Sequence, residues 1–144
     1  MLRAYKGRGR TALASWWARL AASLVDLEAP LVPVPFHPQH YRERGWDPVG
    51  SWARALSRQT KLPVLNVLRR RPTASQKSLG RAQRIENASK SFVLRYGSHR
   101  RLAGLPLIWL LDDVVTTGST VEACAKELLA AGVLEVRVLC LCLH

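Results

Sequence analysis

Residues able to do chemistry concentrate between Leu107 and Thr120, which reads Leu-Ile-Trp-Leu-Leu-Asp-Asp-Val-Val-Thr-Thr-Gly-Ser-Thr. Asp112 and Asp113 offer adjacent carboxylates, and Thr116, Thr117, Ser119 and Thr120 offer hydroxyls around Gly118. An ionised carboxylate only accepts hydrogen bonds, so the acids suit sugar hydroxyls or a divalent cation rather than a phosphate. Hydroxyls donate to phosphate oxygens. A loop entering a helix adds unpaired backbone N–H groups and the positive end of the helix dipole. Gly118 permits close backbone approach or a positive φ. A phosphorylated sugar satisfies both halves of the string. The plainer alternative is a strand end with two solvated acids and a polar turn.

The flanking pattern supplies the elements that would position these groups. The apolar run before Asp112 predicts a buried strand, and Val121, Cys124, Ala125, Leu128 and Leu129 recur at helical spacing behind the loop. Gly132 is expected at C′ of that helix, and Val136–Leu141 as a last, buried strand. Upstream, Leu13, Trp16, Trp17, Leu20, Leu24 and Leu27 repeat at three and four, with Thr11 as N-cap. Trp16 and Trp17 fit core or interface positions better than a base-stacking platform. Leu31–Pro35 reads as a short strand with a polar, basic loop behind it. In that loop Arg42 and Arg44 could hold a pyrophosphate by charge-assisted hydrogen bonds, although an ordinary surface loop explains them as well. Asp47 and Pro48 read as N-cap and first helical position, and Val49, Trp52, Ala53 and Leu56 as the buried stripe of that helix.

Val64–Leu68 reads as a further strand. The polar stretch from Arg69 to Ser91 has no clear apolar period, and in a compact domain such a length suggests a lid or disorder. A basic lid would exclude water and neutralise a departing diphosphate; its latter part, Gly80–Lys90, could carry a short helix. Phe92–Arg95 is expected to re-enter the sheet, and Gly97–Gly104 to form a basic turn. Strands and helices alternate, so the expected fold is α/β, a parallel sheet flanked by helices, with ligands beyond the carboxyl ends of the strands.

With 144 residues, one domain spanning 1–144 is expected. The formal charge is +12, from 22 Lys+Arg against 10 Asp+Glu. It is uneven: Arg69–Arg101 holds ten basic residues and one acid, whereas Leu102 onward holds two basic residues and five acids. Such a balance suggests phosphates, pyrophosphate or nucleic acid as partners, beside an ordinary solvated basic face. The three cysteines, Cys124, Cys140 and Cys142, form no metal pattern and read as reduced core residues of a cytoplasmic protein. Ala12–Leu27 is interrupted by Arg19 and Asp26 and is too broken to span a bilayer, and no signal peptide is recognised.

The central string, apolar strand then Asp112-Asp113-Val114 and Thr116-Thr117-Gly118-Ser119-Thr120, resembles the phosphoribosyl-pyrophosphate (PRPP) motif of type I phosphoribosyltransferases. Nearly the whole chain resembles the ComF family, the competence-protein-F-like phosphoribosyltransferases. The matching residues are Tyr5-Lys6-Gly7-Arg8, Val32-Pro33-Val34-Pro35, Arg44-Gly45-Trp46, Ala53-Arg54-Ala55-Leu56, and then Arg69, Arg71, Thr73, Gln76, Leu79, Arg84, Asn87 and Phe92. The resemblance implies a type I phosphoribosyltransferase fold with a flexible lid over about residues 69–92. It also implies Asp112 and Asp113 at the ribose hydroxyls, residues 116–120 on the 5′-phosphate, and a link to natural transformation and uptake of single-stranded DNA. Family members commonly begin with a cysteine-rich zinc-binding segment that is not found here, so no zinc is expected. Asp47-Pro48 also stands where the family usually has Asn-Gln.

Two readings of function follow. In the first, the protein is an enzyme that binds magnesium and PRPP and transfers phosphoribose to an unknown acceptor, releasing pyrophosphate. Arg42, Arg44, Lys77 and Arg84 would then lie on the diphosphate, and magnesium would be met by Asp112 and Asp113. In the second, the scaffold is a non-catalytic module whose basic region binds nucleic acid or the DNA-uptake helicase.

Overall fold

A computed structural model describes residues 11–26, 28–36, 41, 43, 45–71 and 91–143. Its elements are α1 (Thr11–Ala21), β1 (Leu31–Pro33), α2 (Pro48–Thr60), β2 (Leu68–Arg70), β3 (Phe92–Leu94), α3 (His99–Leu102), β4 (Ile108–Val115), α4 (Ser119–Ala130) and β5 (Val136–Leu143). β1, β4 and β5 form a parallel sheet in the order β1-β4-β5. Val64 adds an isolated parallel bridge to Leu31.

β4 takes the central position because its side chains suit one. Ile108, Trp109, Leu110 and Leu111 are all buried, as a strand covered on both faces requires. Strand alternation then sorts the core into two halves. Leu31, Trp109 and Leu111 pack with Ala14, Ala18 and Ala21 of α1 and Trp52 and Leu56 of α2. Val32, Val34, Ile108 and Leu110 pack on the other face with Cys124 and Leu128 of α4, Leu68 of β2 and Phe92 of β3. The sheet is thus flanked by helices on both faces, as the alternation of elements predicts.

Local signals set the helix ends. The Asp47 carboxylate accepts the Gly50 N–H at 3.0 Å and Pro48 opens α2, both as expected. The α2 stripe of Val49, Trp52, Ala53 and Leu56 is buried. Behind α4, the Gly132 N–H donates to the Leu129 carbonyl and the Val133 N–H to the Leu128 carbonyl. With Gly132 at φ +94°, this is the paired bonding of a Schellman cap, and Val133 and Leu128 share one apolar cluster.

Several expectations are corrected. The face of α1 that meets α2 is alanine, not leucine and tryptophan: Ala14, Ala18 and Ala21 are buried, whereas Trp16, Leu20 and Leu24 are exposed. Small residues let two helices approach closely, and an apolar-count pattern gives them too little weight. Leu13 and Trp17 pack partly against the core, and Trp17 meets Trp16 edge-on at 4.8 Å. Leu27 lies outside the described residues. Phe92–Leu94 does not join the parallel sheet; it pairs antiparallel with Leu68–Arg70 as a separate two-stranded ribbon, Arg70 opposite Phe92. The strand expected over Val64–Leu68 is therefore a single bridge at Val64 followed by β2 from Leu68. The basic turn after β3 contains the one-turn helix α3. β5 runs on to Leu143 and is half-exposed rather than buried, with Cys140 and Cys142 partly open. Among the described strands it is an edge, and an edge lacks a neighbour to cover it. No helix among the described residues is long and apolar enough to cross a membrane.

Candidate functional site

The candidate site lies at the carboxyl end of β4, where the sheet hands over to α4. β4 extends through Val115, so both acids are strand residues and not part of the loop behind it. Adjacent strand residues project to opposite faces, and the surroundings of the two acids differ accordingly. Asp112, only 7% exposed, lines a small pocket of about 30 Å³ with Thr116, Thr117, Gly118, Ser119 and Thr120. Asp113 is half-buried and acts electrostatically on Asp47 at the start of α2. Each acid also binds back to the chain: Asp112 Oδ1 accepts the Asp113 N–H at 2.9 Å, and Asp113 Oδ1 accepts the Val114 N–H at 2.9 Å.

The pocket floor follows from helix geometry. Gly118 is the N-cap of α4 at φ +77°, and its carbonyl accepts the Glu122 N–H at 2.9 Å. A helix leaves its first amides without partners inside the helix. Those of Ser119, Thr120 and Val121 therefore open into the pocket they line. The left-handed φ explains the glycine: nothing lies within 4 Å of a Cβ placed there, so the requirement is conformational and not steric. Thr117 Oγ1 and Ser119 Oγ lie 3.0 Å apart across the turn. Hydroxyls, amides and dipole converge here on a volume that suits one tetrahedral anion.

A larger cleft of about 480 Å³ opens beside it, at the carboxyl end of β1. Pro33, Val34, Pro35 and Phe36 line one side, Asn66, Leu68, Arg69 and Arg70 another, with Tyr41, Asp47 and Arg95 completing it. Arg70 is the most constrained of its cations. Its Nε donates to the Pro35 carbonyl at 3.2 Å, and its guanidinium stacks 4.6 Å from the centre of the Phe92 ring. Burial lowers its pKa, while the Cys124 thiol and Asp112 raise it; an arginine stays charged throughout. Arg95 Nε donates to the Leu68 carbonyl at 3.2 Å. Burial pushes the Cys124 thiol up to about 12, with Asp112 adding to the shift. That thiol is therefore neutral and no nucleophile.

Asp47 borders the cleft and carries a raised pKa, chiefly through burial and against the Gly50 N–H and Arg54, which lower it; Asp113 raises it a little. For an acid raised in the folded state, the native protein keeps its proton to higher pH than the unfolded chain. Stability then falls as pH rises from the ordinary value of 3.8 through the folded one. Asp47→Asn keeps a capping acceptor and removes the buried charge. Relative to the parent it should gain stability at about pH 7, with the gain vanishing as pH falls to about 3.8 or below. Urea unfolding at the two ends of that range checks this; an equal effect at both excludes titration as the cause.

Of the residues singled out from sequence, the structure brings Asp112 together with Thr116, Thr117, Gly118, Ser119 and Thr120 around one pocket and turns Asp113 to the other face. Arg42, Arg44, Lys77 and Arg84 lie outside the described residues, as does most of the lid stretch. Only the structure brings Arg70, Arg95 and Tyr41 to the cleft, and Asp47 beyond its role as a cap. A signal for Arg70 existed: it shares a strand face with Leu68, two residues before it, and a cation on the buried side of a strand calls for an explanation. Among the described residues no cluster of three His, Cys, Asp or Glu side chains could enclose a metal. Asp112 and Asp113 do fit the way magnesium is usually held, by one or two carboxylates with substrate oxygens and water.

No protein-family model matches the chain. It is 34% identical over 122 residues to competence protein F of Haemophilus influenzae, covering 79% of this chain and 50% of that protein. It is also 34% identical over 114 residues to the DNA utilization protein YhgH of Escherichia coli K12, covering 78% of this chain and 48% of that protein. The chain therefore spans about half the length of the relatives it matches. Among solved structures, the glutamine PRPP amidotransferase from B. subtilis, complexed with ADP and GMP, matches with a TM-score of 0.60 at 18% identity, over 90% of this chain and 26% of that one. An allosteric regulatory enzyme of purine biosynthesis matches with a TM-score of 0.61 at 19% identity, over 90% of this chain and 25% of that one. Over the 79% of its length that aligns, the chain belongs to the family of competence protein F, and its fold is that of the type I phosphoribosyltransferases.

Proposed function

We propose that this protein binds PRPP and transfers phosphoribose to an acceptor, releasing pyrophosphate, in a role connected with DNA uptake. The observation that carries the reading is the pocket that joins Asp112 to the Thr116–Thr120 turn. An anion cradle and a hydroxyl acceptor share one small volume there, which is what a sugar 5-phosphate needs at its two ends. The 5′-phosphate takes the amides and hydroxyls of the turn, and Asp112 takes ribose hydroxyls. Asp113 approaches the sugar from the opposite side of the strand end. The diphosphate extends into the basic cleft, with Arg42, Arg44, Lys77 and Arg84 assigned to it from sequence. Magnesium, when bound, would offset the negative charge of the diphosphate, and Asp112 and Asp113 are the residues that would hold it. The chain's own contribution is positioning and electrostatics at a centre that gains positive charge as the diphosphate leaves. The setting is cytoplasmic, where PRPP and reduced thiols belong together.

The test is calorimetric titration of magnesium and PRPP into the folded protein, followed by pyrophosphate release with a panel of nucleobases. Saturable binding supports the site and release supports turnover. Absence of binding in a demonstrably folded sample ends the proposal.

A second reading rests on a separate observation: ten basic residues against one acid over Arg69–Arg101, more than a diphosphate needs. Here the basic region binds single-stranded DNA or the uptake helicase. If so, affinity for a single-stranded oligonucleotide should fall steeply between low and moderate salt as counterions are released. A flat salt response argues against it.

A further inference from the structure

The cleft beside the phosphate pocket carries more positive charge than its own walls use. Arg69, Arg70 and Arg95 line it against one acid, Asp47. That carboxylate is taken up at the start of α2, where it accepts the Gly50 N–H. None of the three arginines forms an ion pair among the described residues, whereas Lys126 pairs with Glu122 and Arg137 with Asp26 and Glu135. Two of the three are nevertheless fixed. The Arg70 Nε donates to the Pro35 carbonyl at 3.2 Å, and its guanidinium stacks on the buried Phe92 ring, which sits opposite it in the β2–β3 ladder. The Arg95 Nε donates to the Leu68 carbonyl at 3.2 Å. In both, the terminal amino groups make no hydrogen bond among the described residues. A carbonyl and a ring orient a guanidinium without neutralising it. Arg70 is also half-buried, and a cation withdrawn from water needs a counter-charge. Terminal amino groups held in place and left unpaired suit a carboxylate or phosphate.

The side of the cleft formed by Pro33, Val34, Pro35 and Phe36 has the opposite chemistry. A diphosphate, charged along its whole length, gains nothing from an apolar wall; a ring does. Size points the same way. The cleft measures about 480 Å³ against about 30 Å³ for the phosphate pocket, within the roughly 300–1,000 Å³ of sites that take a whole small molecule. It has room for a ring beside the diphosphate assigned to it above. We propose that this cleft is the acceptor site, and that Arg70 and Arg95 select an acceptor combining a planar ring with an oxyanion, in its simplest form a heterocyclic carboxylate. This rests on the phosphoribosyl transfer proposed above and names the class of its unknown acceptor. In that transfer a ring nitrogen bonds to the anomeric carbon and the bond to the diphosphate breaks. The electron pair leaves with pyrophosphate, and the proton of an N–H nucleophile goes to water. The oxyanion stays on the arginines and takes no part in the bond changes. A neutral ring of the same shape would leave both guanidinia unpaired, which is the source of the selection.

The experiment titrates pyridine-3-carboxylate and imidazole-4-carboxylate, each beside its neutral carboxamide, into the parent protein, Arg70→Met and Arg95→Met by calorimetry. Inorganic pyrophosphate and ribose 5-phosphate are further arms. The parent should bind at least one carboxylate about tenfold more tightly than its amide, the worth of one hydrogen bond to a charged group. Arg70→Met should bring that ratio close to one, and Arg95→Met should lower it partway. Ribose 5-phosphate should bind all three proteins alike, because neither arginine lines the phosphate pocket. Arg95 is exposed, so Arg95→Met decides the matter if Arg70→Met does not fold, and an unchanged ratio there then overturns the inference. A parent that prefers neither carboxylate over its amide also overturns it, as does a preference that both substitutions leave intact. Pyrophosphate binding that falls in Arg70→Met, with no carboxylate bound by the parent, assigns the arginines to the diphosphate; it overturns the acceptor class and leaves the proposed transfer standing. A parent that prefers a carboxylate but binds neither ribose 5-phosphate nor magnesium with PRPP overturns the acceptor role and the proposed transfer together.

Discussion

Asp112→Asn should cost the protein most of its affinity for magnesium and PRPP, at least about a hundredfold, while its melting temperature changes little. The magnitude follows from what the substitution does. It replaces an acceptor-only group with one that presents a donor to the same sugar hydroxyls, and it removes the charge that a magnesium-bound ligand would meet. Hydrogen bonds to charged groups are worth about 1.5–3 kcal/mol each, and two are at stake. The orientation of the two acids makes the prediction asymmetric. Asp112 is buried in the pocket with the Thr116–Thr120 turn, whereas Asp113 is half-buried, does not line that pocket and by strand alternation projects to the other face. Asp113→Asn should therefore lose roughly tenfold, less than Asp112→Asn. The double variant should show no saturable binding. Calorimetry on the three variants, with thermal melts alongside, decides the matter. Equal losses for the two single substitutions would mean that both carboxylates reach the ligand equally, contrary to the strand alternation.

The second large effect is on stability. Trp52→Ala should destabilise the protein by about 3–5 kcal/mol, the range for removing a fully buried large aromatic. Trp52 is 1% exposed and packs among α1, α2 and the sheet face that carries Trp109 and Leu111. The small residues around it, Ala14, Ala18, Ala53 and Ala55, hold the helices too close to collapse further into the hole, so the cavity term should be nearly complete. Its indole N–H is buried with no hydrogen-bond partner among the described residues. What Trp52 contributes is shape and apolar area, not a hydrogen bond. Trp52→Phe should accordingly cost much less, about 1–2 kcal/mol, because it relieves the unpartnered donor while giving up part of the volume. Urea unfolding of both variants gives the two numbers. A Phe variant as unstable as the Ala variant would show that the indole N–H has a partner after all.

The candidate site shows how far local sequence reaches. Asp47 as a cap, Pro48 as the first turn, Gly118 before α4 and Gly132 behind it all met their expectations, because each is set by the few residues around it. A cap needs one carboxylate three residues from an amide; a left-handed turn needs one glycine. The first half of β4 was equally legible, since a strand covered on both faces reads as a continuous apolar run, as Ile108–Leu111 does, and the turn behind it carries hydroxyls and a glycine of the kind an anion site would use. The parallel order of the sheet followed from the alternation of strands with helices.

What needed tertiary structure was anything fixed by a partner distant in the chain. Packing of α1 on alanines was invisible because alanine signals close approach only when the opposing helix is known. Pairing of Leu68–Arg70 with Phe92–Leu94 joins strands on either side of a long polar stretch. No local pattern distinguishes such a ribbon from a strand of the main sheet. The exposure of β5 depends on which strands flank it, and its apolar sequence alone reads as buried. Arg70 is the clearest case. Among its neighbours Arg69 and Arg71 it is one cation in a basic run, and only the fold puts the Phe92 ring and the Pro35 carbonyl around it. The sequence determined which chemical groups this protein owns and where its chain turns. The tertiary structure decided which of them face one another, because burial and charge act through space and not along the chain.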